Sequence, residues 1–180
     1  MPRLSVSAVA LPSSSSLQAA AAPDHTDAYR LALPAGAAAD ATALTWRLFG
    51  QTPAWIRYLM RLRDWLVRPL RLTTFPETIR PPYGTALVPG SSLGAFRVFA
   101  TAPHEVVLGL DDRHLDFRVS VLLAEDGRAA VVSTLVWFHN WVGRWYFQLI
   151  QPFHHLVVPA LLRHALRQEP NHPPVGHPGR

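Results

Sequence analysis

The chain contains no cysteine and no lysine. Without cysteine, disulfides and thiolate metal sites are excluded, while the redox compartment stays open. All 17 basic residues are arginine, a bias that reflects a GC-rich genome more than a selected chemistry. Also missing are a GxSxG elbow, a P-loop and a Gly-rich dinucleotide fingerprint, so serine-hydrolase, NTPase and Rossmann readings have no support. There is no HExxH, HxH or CxxC spacing, and neither a metal nor a cofactor is expected. A formal charge of +5 permits acidic partners. The arginines are nevertheless spread along the chain with no basic tract, so nucleic acid is not an expected partner.

What is present suits one domain, because 180 residues can bury a core and no interior change of composition divides them. The apolar run Leu4 to Leu11 is interrupted by Ser5 and Ser7 and followed by Pro12 and four serines, which is not the continuous core of an export signal. Residues 1–26 therefore read as a flexible leader and the location as cytoplasmic. Residues 27–168 form the expected domain, and 169–180, rich in Pro, Gly and His, a disordered tail.

The most informative stretch is Asp111 to Asn140, DDRHLDFRVSVLLAEDGRAAVVSTLVWFHN. Asp126-Gly127 supplies a tight turn between two alternating runs, which reads as a β-hairpin with Glu125 opposite Arg128. Counting outward pairs His114 with His139, Asp116 with Trp137, Arg118 with Leu135 and Ser120 with Ser133 on one face. Leu115, Phe117, Val119, Val121, Val132, Thr134, Val136 and Phe138 occupy the other, as core or cavity wall. The polar face reads as the wet side of the sheet, although Trp137 and Leu135 then require a loop or partner to cover them.

Before the hairpin, Ala28 to Leu33 reads as a first strand, and Asp40 caps a helix from Ala41 to Phe49 that Gly50 stops. Pro53 opens a second helix to Arg68, and Arg57, Arg61, Asp64, Arg68 and Arg71 cluster on one basic arc. Arg63 falls on the apolar arc of that helix and should reach a carboxylate, a carbonyl or a ligand anion, or else extend its head to water. A basic amphipathic helix over residues 55–70 also admits peripheral membrane contact. Leu72 to Ser92 is a Pro-rich loop or short edge strands, followed by a hairpin of Ala95 to Ala100 with Glu105 to Leu110. The last element runs from about Trp145 to Arg167, and Pro152 and Pro159 should kink or divide it. It is long enough to span a membrane, but Gln148, Gln151, His154 and His155 argue against that.

Chemistry centres on His114, Asp116 and His139, which share a face and could form a structural polar cluster, a ligand-anchoring cluster, or an acid–base or metal set. His154-His155 could add one inward imidazole. The element order gives an α+β class, with a curved antiparallel sheet, two helices after the first strand and a long last helix.

That order is similar to the helix-grip fold of the START and Bet v 1-like (SRPBCC) superfamily. Four stretches resemble an uncharacterised bacterial family, the domain of unknown function numbered 2867. They are PAWIRYLMRLRDWLVRPL from Pro53, DDRHLDFRVSVL from Asp111, FHNWVGRWYF from Phe138 and QPFHHLVV from Gln151. The chain departs from that family's Gly-Leu-Lys-type turn, having Leu70-Arg71-Leu72 instead. The resemblance implies a cavity between the sheet and the last helix and no defined activity. Related domains fused behind NAD(P)-dependent short-chain dehydrogenases imply a redox-enzyme partner. Binding of a hydrophobic small molecule or lipid, rather than catalysis, is the leading expectation. Its wall is Leu115, Phe117, Val119, Val136 and Phe138, closed by Phe153, Leu156, Val157 and Leu161, beside Arg63.

Overall fold

Two long alternating runs meeting at Gly127 build the centre of the molecule. In the computed structural model, which describes residues 6–33, 40–49, 58, 59, 61, 84–94, 96–124 and 126–167, they are β6 (Leu115–Leu123) and β7 (Ala129–Phe138). Asp116 pairs with Trp137, Arg118 with Leu135 and Ser120 with Ser133, the register expected from the sequence. The turn itself is wider than two residues. Ala124 and Ala129 close it, Gly127 N–H donates to Ala124 O, and Gly127 takes a φ of 65°, where a side chain is strained. The wider loop shares the centre of the narrow one, so the register is unchanged.

Around this hairpin, β1 (Val6–Ala8), β2 (His25–Ala32), β3 (Ser92–Leu93), β4 (Phe96–Ala102) and β5 (Glu105–Asp111) complete an antiparallel sheet. Its order among the described residues is β1-β2-β7-β6-β5-β4-β3. A register shift between Val98 and Ala100 sets Phe99 into the cluster on the outer face with Leu17, Val107 and Leu135. That is the re-aiming of a side chain a bulge provides.

The inner face carries Leu31, Val98, Val106, Leu108, Val119, Val121 and Val132, and α1 (Ala41–Phe49) buries Leu44 and Leu48 against it. Asp40 caps α1 as expected, accepting the N–H of Ala43 at 2.7 Å. The expected second helix lies almost wholly outside the described residues. Only Tyr58, Leu59 and Arg61 of it are described, and all three are helical.

The C-terminal helix, α2 (Trp141–Arg167), is one element of 27 residues. It begins four residues before the expected start, because Asn140 caps it through Oδ1, which accepts the N–H groups of Val142 and Gly143. Gly143 marks a close approach and not a helix boundary, since a Cβ there would collide with the His114 carbonyl. Nor do Pro152 and Pro159 divide it, although each withholds one N–H from the ladder. Tyr146, Phe147 and Leu162 are buried, and Val158 packs on the main core. This inward line recurs at helical spacing.

Where the sequence suggests a flexible leader, residues 6–20 lie along the sheet. Val6–Ala8 pairs with β2, and a 3-10 turn at Ser16–Ala19 covers the face opposite the helices. The physical reason is a set of contacts far apart in sequence: Leu17 and Leu11 meet Val107, Leu135 and Trp137.

Candidate functional site

The two faces of the sheet hold different polar groups. On the outer face, Glu105 accepts hydrogen bonds from Ser15 Oγ at 2.6 Å, Ser120 Oγ at 2.5 Å and the Ser16 N–H at 2.8 Å. Burial pushes its carboxyl up, but these donors outweigh that and hold it below the ordinary value. Leu135 is only 1% exposed under the N-terminal segment, and Trp137 Nε1 donates to Ala21 O at 3.0 Å. A loop thus covers the residues that the pattern alone left on a wet face.

The expected acid–base set sits at the end of this face and is split between two partners. His139 Nε2 lies 3.1 Å from Asp116 Oδ2, both partly exposed. His114 is buried and instead places Nδ1 3.1 Å from Asn140 Oδ1, while its backbone N–H donates to Asp112. Those contacts join the β6 entry to the cap of α2. Arg118 lies across the Phe99 ring, 3.5 Å from its centroid, and pairs with Asp111 at 2.6 Å.

On the inner face, Leu115, Val136 and Phe147 form a packed cluster with Tyr146, while Val119 belongs to the main core and Phe117 bridges the two. Phe153 and Leu156, expected to close a wall, are 54% and 65% exposed. At about 100° per residue Phe153 points opposite the buried Leu162. With Trp141, Trp145 and Leu149 they make an apolar stripe on the outer flank of α2. Val157 and Leu161 are partly buried. Arg63 lies outside the described residues.

A second polar cluster faces α2 from β2. Residues His25, Asp27, Tyr29 and Leu31 alternate onto the inner face, opposite Val136, Thr134, Val132 and Ala130. Asp27, with an 11% exposed side chain, is hydrogen-bonded through Oδ2 to His25 Nε2 at 3.3 Å, and His154 Nε2 approaches the same oxygen to 3.0 Å as an ion-pair contact without hydrogen-bond alignment. Its Oδ1 is buried and has no hydrogen-bond partner among the described residues. Burial raises the Asp27 carboxyl, but His154 and then His25 outweigh this and hold it below its ordinary range. Tyr29 Oη lies 2.8 Å from His155 Nδ1, and its own pKa is raised by burial and by the Asp27 charge.

His25 also opens onto a groove of about 320 Å³ lined by Asp24, His25, Phe138, Arg144, Phe147, Gln148 and Gln151. Phe147 lies 4.7 Å from the His25 ring and 5.3 Å from Phe138, centroid to centroid. Asp24 accepts the Phe138 N–H at 2.8 Å and sits 3.7 Å from Arg144. The groove thus has an aromatic floor and a rim of His25, Arg144, Gln148 and Gln151.

Phe138 is the one expected wall residue that lines this groove. His25 and Asp27 escape notice in the sequence because a strand starting at Ala28 stops short of both, with His25 in the expected leader and Asp27 at the first position of the expected domain. The alternation of His25, Asp27, Tyr29 and Leu31 was the available signal. Among the described residues, no three His, Asp or Glu side chains are placed to hold a metal ion, and no helix is long and apolar enough to cross a membrane.

Among the described residues these features define an α+β arrangement in which a seven-stranded antiparallel sheet packs against a long C-terminal helix, with a groove of about 320 Å³ at their junction. The chain belongs to a family of proteins of unknown function (DUF2867), whose model matches residues 19–161. No curated protein and no solved structure matches it.

Proposed function

We propose that the protein binds a hydrophobic small molecule or lipid carrying a polar group, in the groove between the end of the sheet and α2. The sheet and its long last helix suit the helix-grip architecture of the START and Bet v 1-like superfamily, in which this junction is the ligand site. The supporting observation is the groove itself. At about 320 Å³ it reaches the lower end of small-molecule sites, and it sets two aromatic rings, Phe138 and Phe147, beside five polar side chains. An apolar body rests on Phe138 and Phe147, and a polar group meets His25, Arg144, Gln148 or Gln151.

Native mass spectrometry of the purified protein, followed by denaturing extraction, tests this. The expected result is a stoichiometric adduct that disappears in Gln151→Trp, which fills the groove without touching the core. An adduct that survives Gln151→Trp would place the ligand elsewhere. A bare mass, with no thermal shift from lipids, quinones or polyketides, would remove the reading.

The exposed stripe Trp141, Trp145, Leu149, Phe153 and Leu156 favours a second reading, contact with an anionic lipid surface. The 27 residues of α2 include three arginines and no acidic residue, the charge that suits such a surface. Sedimentation with phosphatidylglycerol vesicles is expected, weakened by salt and by Trp145→Asp. No sedimentation at low salt would remove it.

A further inference from the structure

His25 touches both the groove and a partly buried carboxylate. Its Nε2 faces Asp27 Oδ2 at 3.3 Å, its ring leans on Phe147, and its side chain is 20% exposed. A carboxylate that accepts from one ring nitrogen orients the imidazole and leaves the lone pair on the other nitrogen. In the tautomer that donates from Nε2 to Asp27, the lone pair of His25 is on Nδ1. His154, 3.0 Å from the same oxygen, anchors Asp27 from the helix side, so β2 and α2 hold the carboxylate between them. Arg144, Gln148 and Gln151 supply N–H donors to the same groove.

We propose that His25 and Asp27 form an acid–base pair serving the groove, and that its ligand is a planar carbonyl compound with an acidic C–H, which the protein isomerises. This rests on the groove being the ligand site. In the step, His25 Nδ1 takes the proton from the carbon next to the carbonyl. The C–H bond breaks, an N–H bond forms, and the electron pair moves through the carbon–carbon bond to the carbonyl oxygen. The N–H donors of Arg144, Gln148 or Gln151 stabilise that oxygen as its charge develops. With a β,γ-unsaturated substrate, the imidazolium, steadied by Asp27, returns the proton to the γ-carbon. The carbonyl re-forms and the double bond moves into conjugation, so no oxidant or co-reactant is consumed. His25 is the catalytic residue and Asp27 a positioning residue.

5-Nitrobenzisoxazole is a suitable probe. It is planar, and loss of its C–H proton to a base breaks its N–O bond and releases a coloured cyanophenolate. Binding is read separately with 6-nitrobenzotriazole, which is of similar shape and does not react. The expected result is that both bind, and that His25→Gln lowers kcat by about 100-fold, within the range general bases contribute. In Asp27→Asn, kcat should fall while KM and the binding of 6-nitrobenzotriazole stay unchanged, a split that loosened packing would not produce. Circular dichroism melts establish that the variants are folded. Binding of 6-nitrobenzotriazole without turnover dependent on His25 would overturn this inference and leave the groove as a binding site. If 6-nitrobenzotriazole does not bind, the groove reading falls and the inference falls with it.

Discussion

Glu105 is buried and Asp27 partly buried on one sheet, one on each face, and both titrate below their ordinary values. Their surroundings separate their roles. Glu105 spends its oxygens on two serine hydroxyls and one backbone N–H, and so fastens the N-terminal segment to the sheet. Asp27 turns one oxygen to two imidazoles and leaves the other without a described partner, beside a groove. Saturation by neutral donors that cannot titrate makes a latch. A carboxylate facing groups that exchange protons is placed for chemistry.

The largest expected effect is on the latch side. Leu135→Ala hollows the small cluster with Leu17 and Val107, and should cost about 3 kcal/mol in urea unfolding, within the range for buried leucines. A loss below about 1 kcal/mol would mean that the N-terminal cover does not bury this residue in solution.

Glu105→Gln removes the charge from three hydrogen bonds, and should cost about 2 kcal/mol. It should also speed amide exchange across residues 15–20 selectively. The pH dependence sharpens the contrast. Because the folded carboxyls titrate below their unfolded values, their stabilisation is complete above those values and is lost as pH falls through the folded ones. With ordinary values of 4.5 for Glu105 and 3.8 for Asp27, acidification should begin to loosen residues 15–20 before the β2–α2 contact. Glu105→Gln should abolish that early phase in amide exchange. An unchanged acid response in this variant would show that another group governs it.

Asp27→Asn is the mildest, with an expected loss below about 1 kcal/mol, since it removes pairing to histidines but keeps the shape. A loss as large as that of Glu105→Gln would erase the distinction between the two sites.

Much of the fold was legible because its signals are local. The alternation about Gly127 set the β6–β7 register through all nine paired positions, and Asp40 three residues before Ala43 marked the α1 cap. The start of α2 was misread because Gly143 resembles a stop, while its true cause is the His114 carbonyl, 29 positions earlier in the chain. Of the candidate site, Phe138 and one inward imidazole from the His154-His155 pair were legible. Asp27 meets a histidine 127 positions away, and no periodicity reports which strand residue will face which helical turn.

By itself, then, the sequence determined the α+β class, the central hairpin and its register, and the apolar inner line of the sheet. Each follows from the side-chain period of a strand or helix and from turn and cap chemistry within a few residues. Tertiary structure decided the rest. The N-terminal segment covers the outer face because Ser15, Ser16 and Leu17 find Glu105 and Leu135 only once the sheet exists. The groove and its His25–Asp27 pair exist only where β2, the end of β7 and the first turns of α2 meet, since three separate stretches must each contribute one wall.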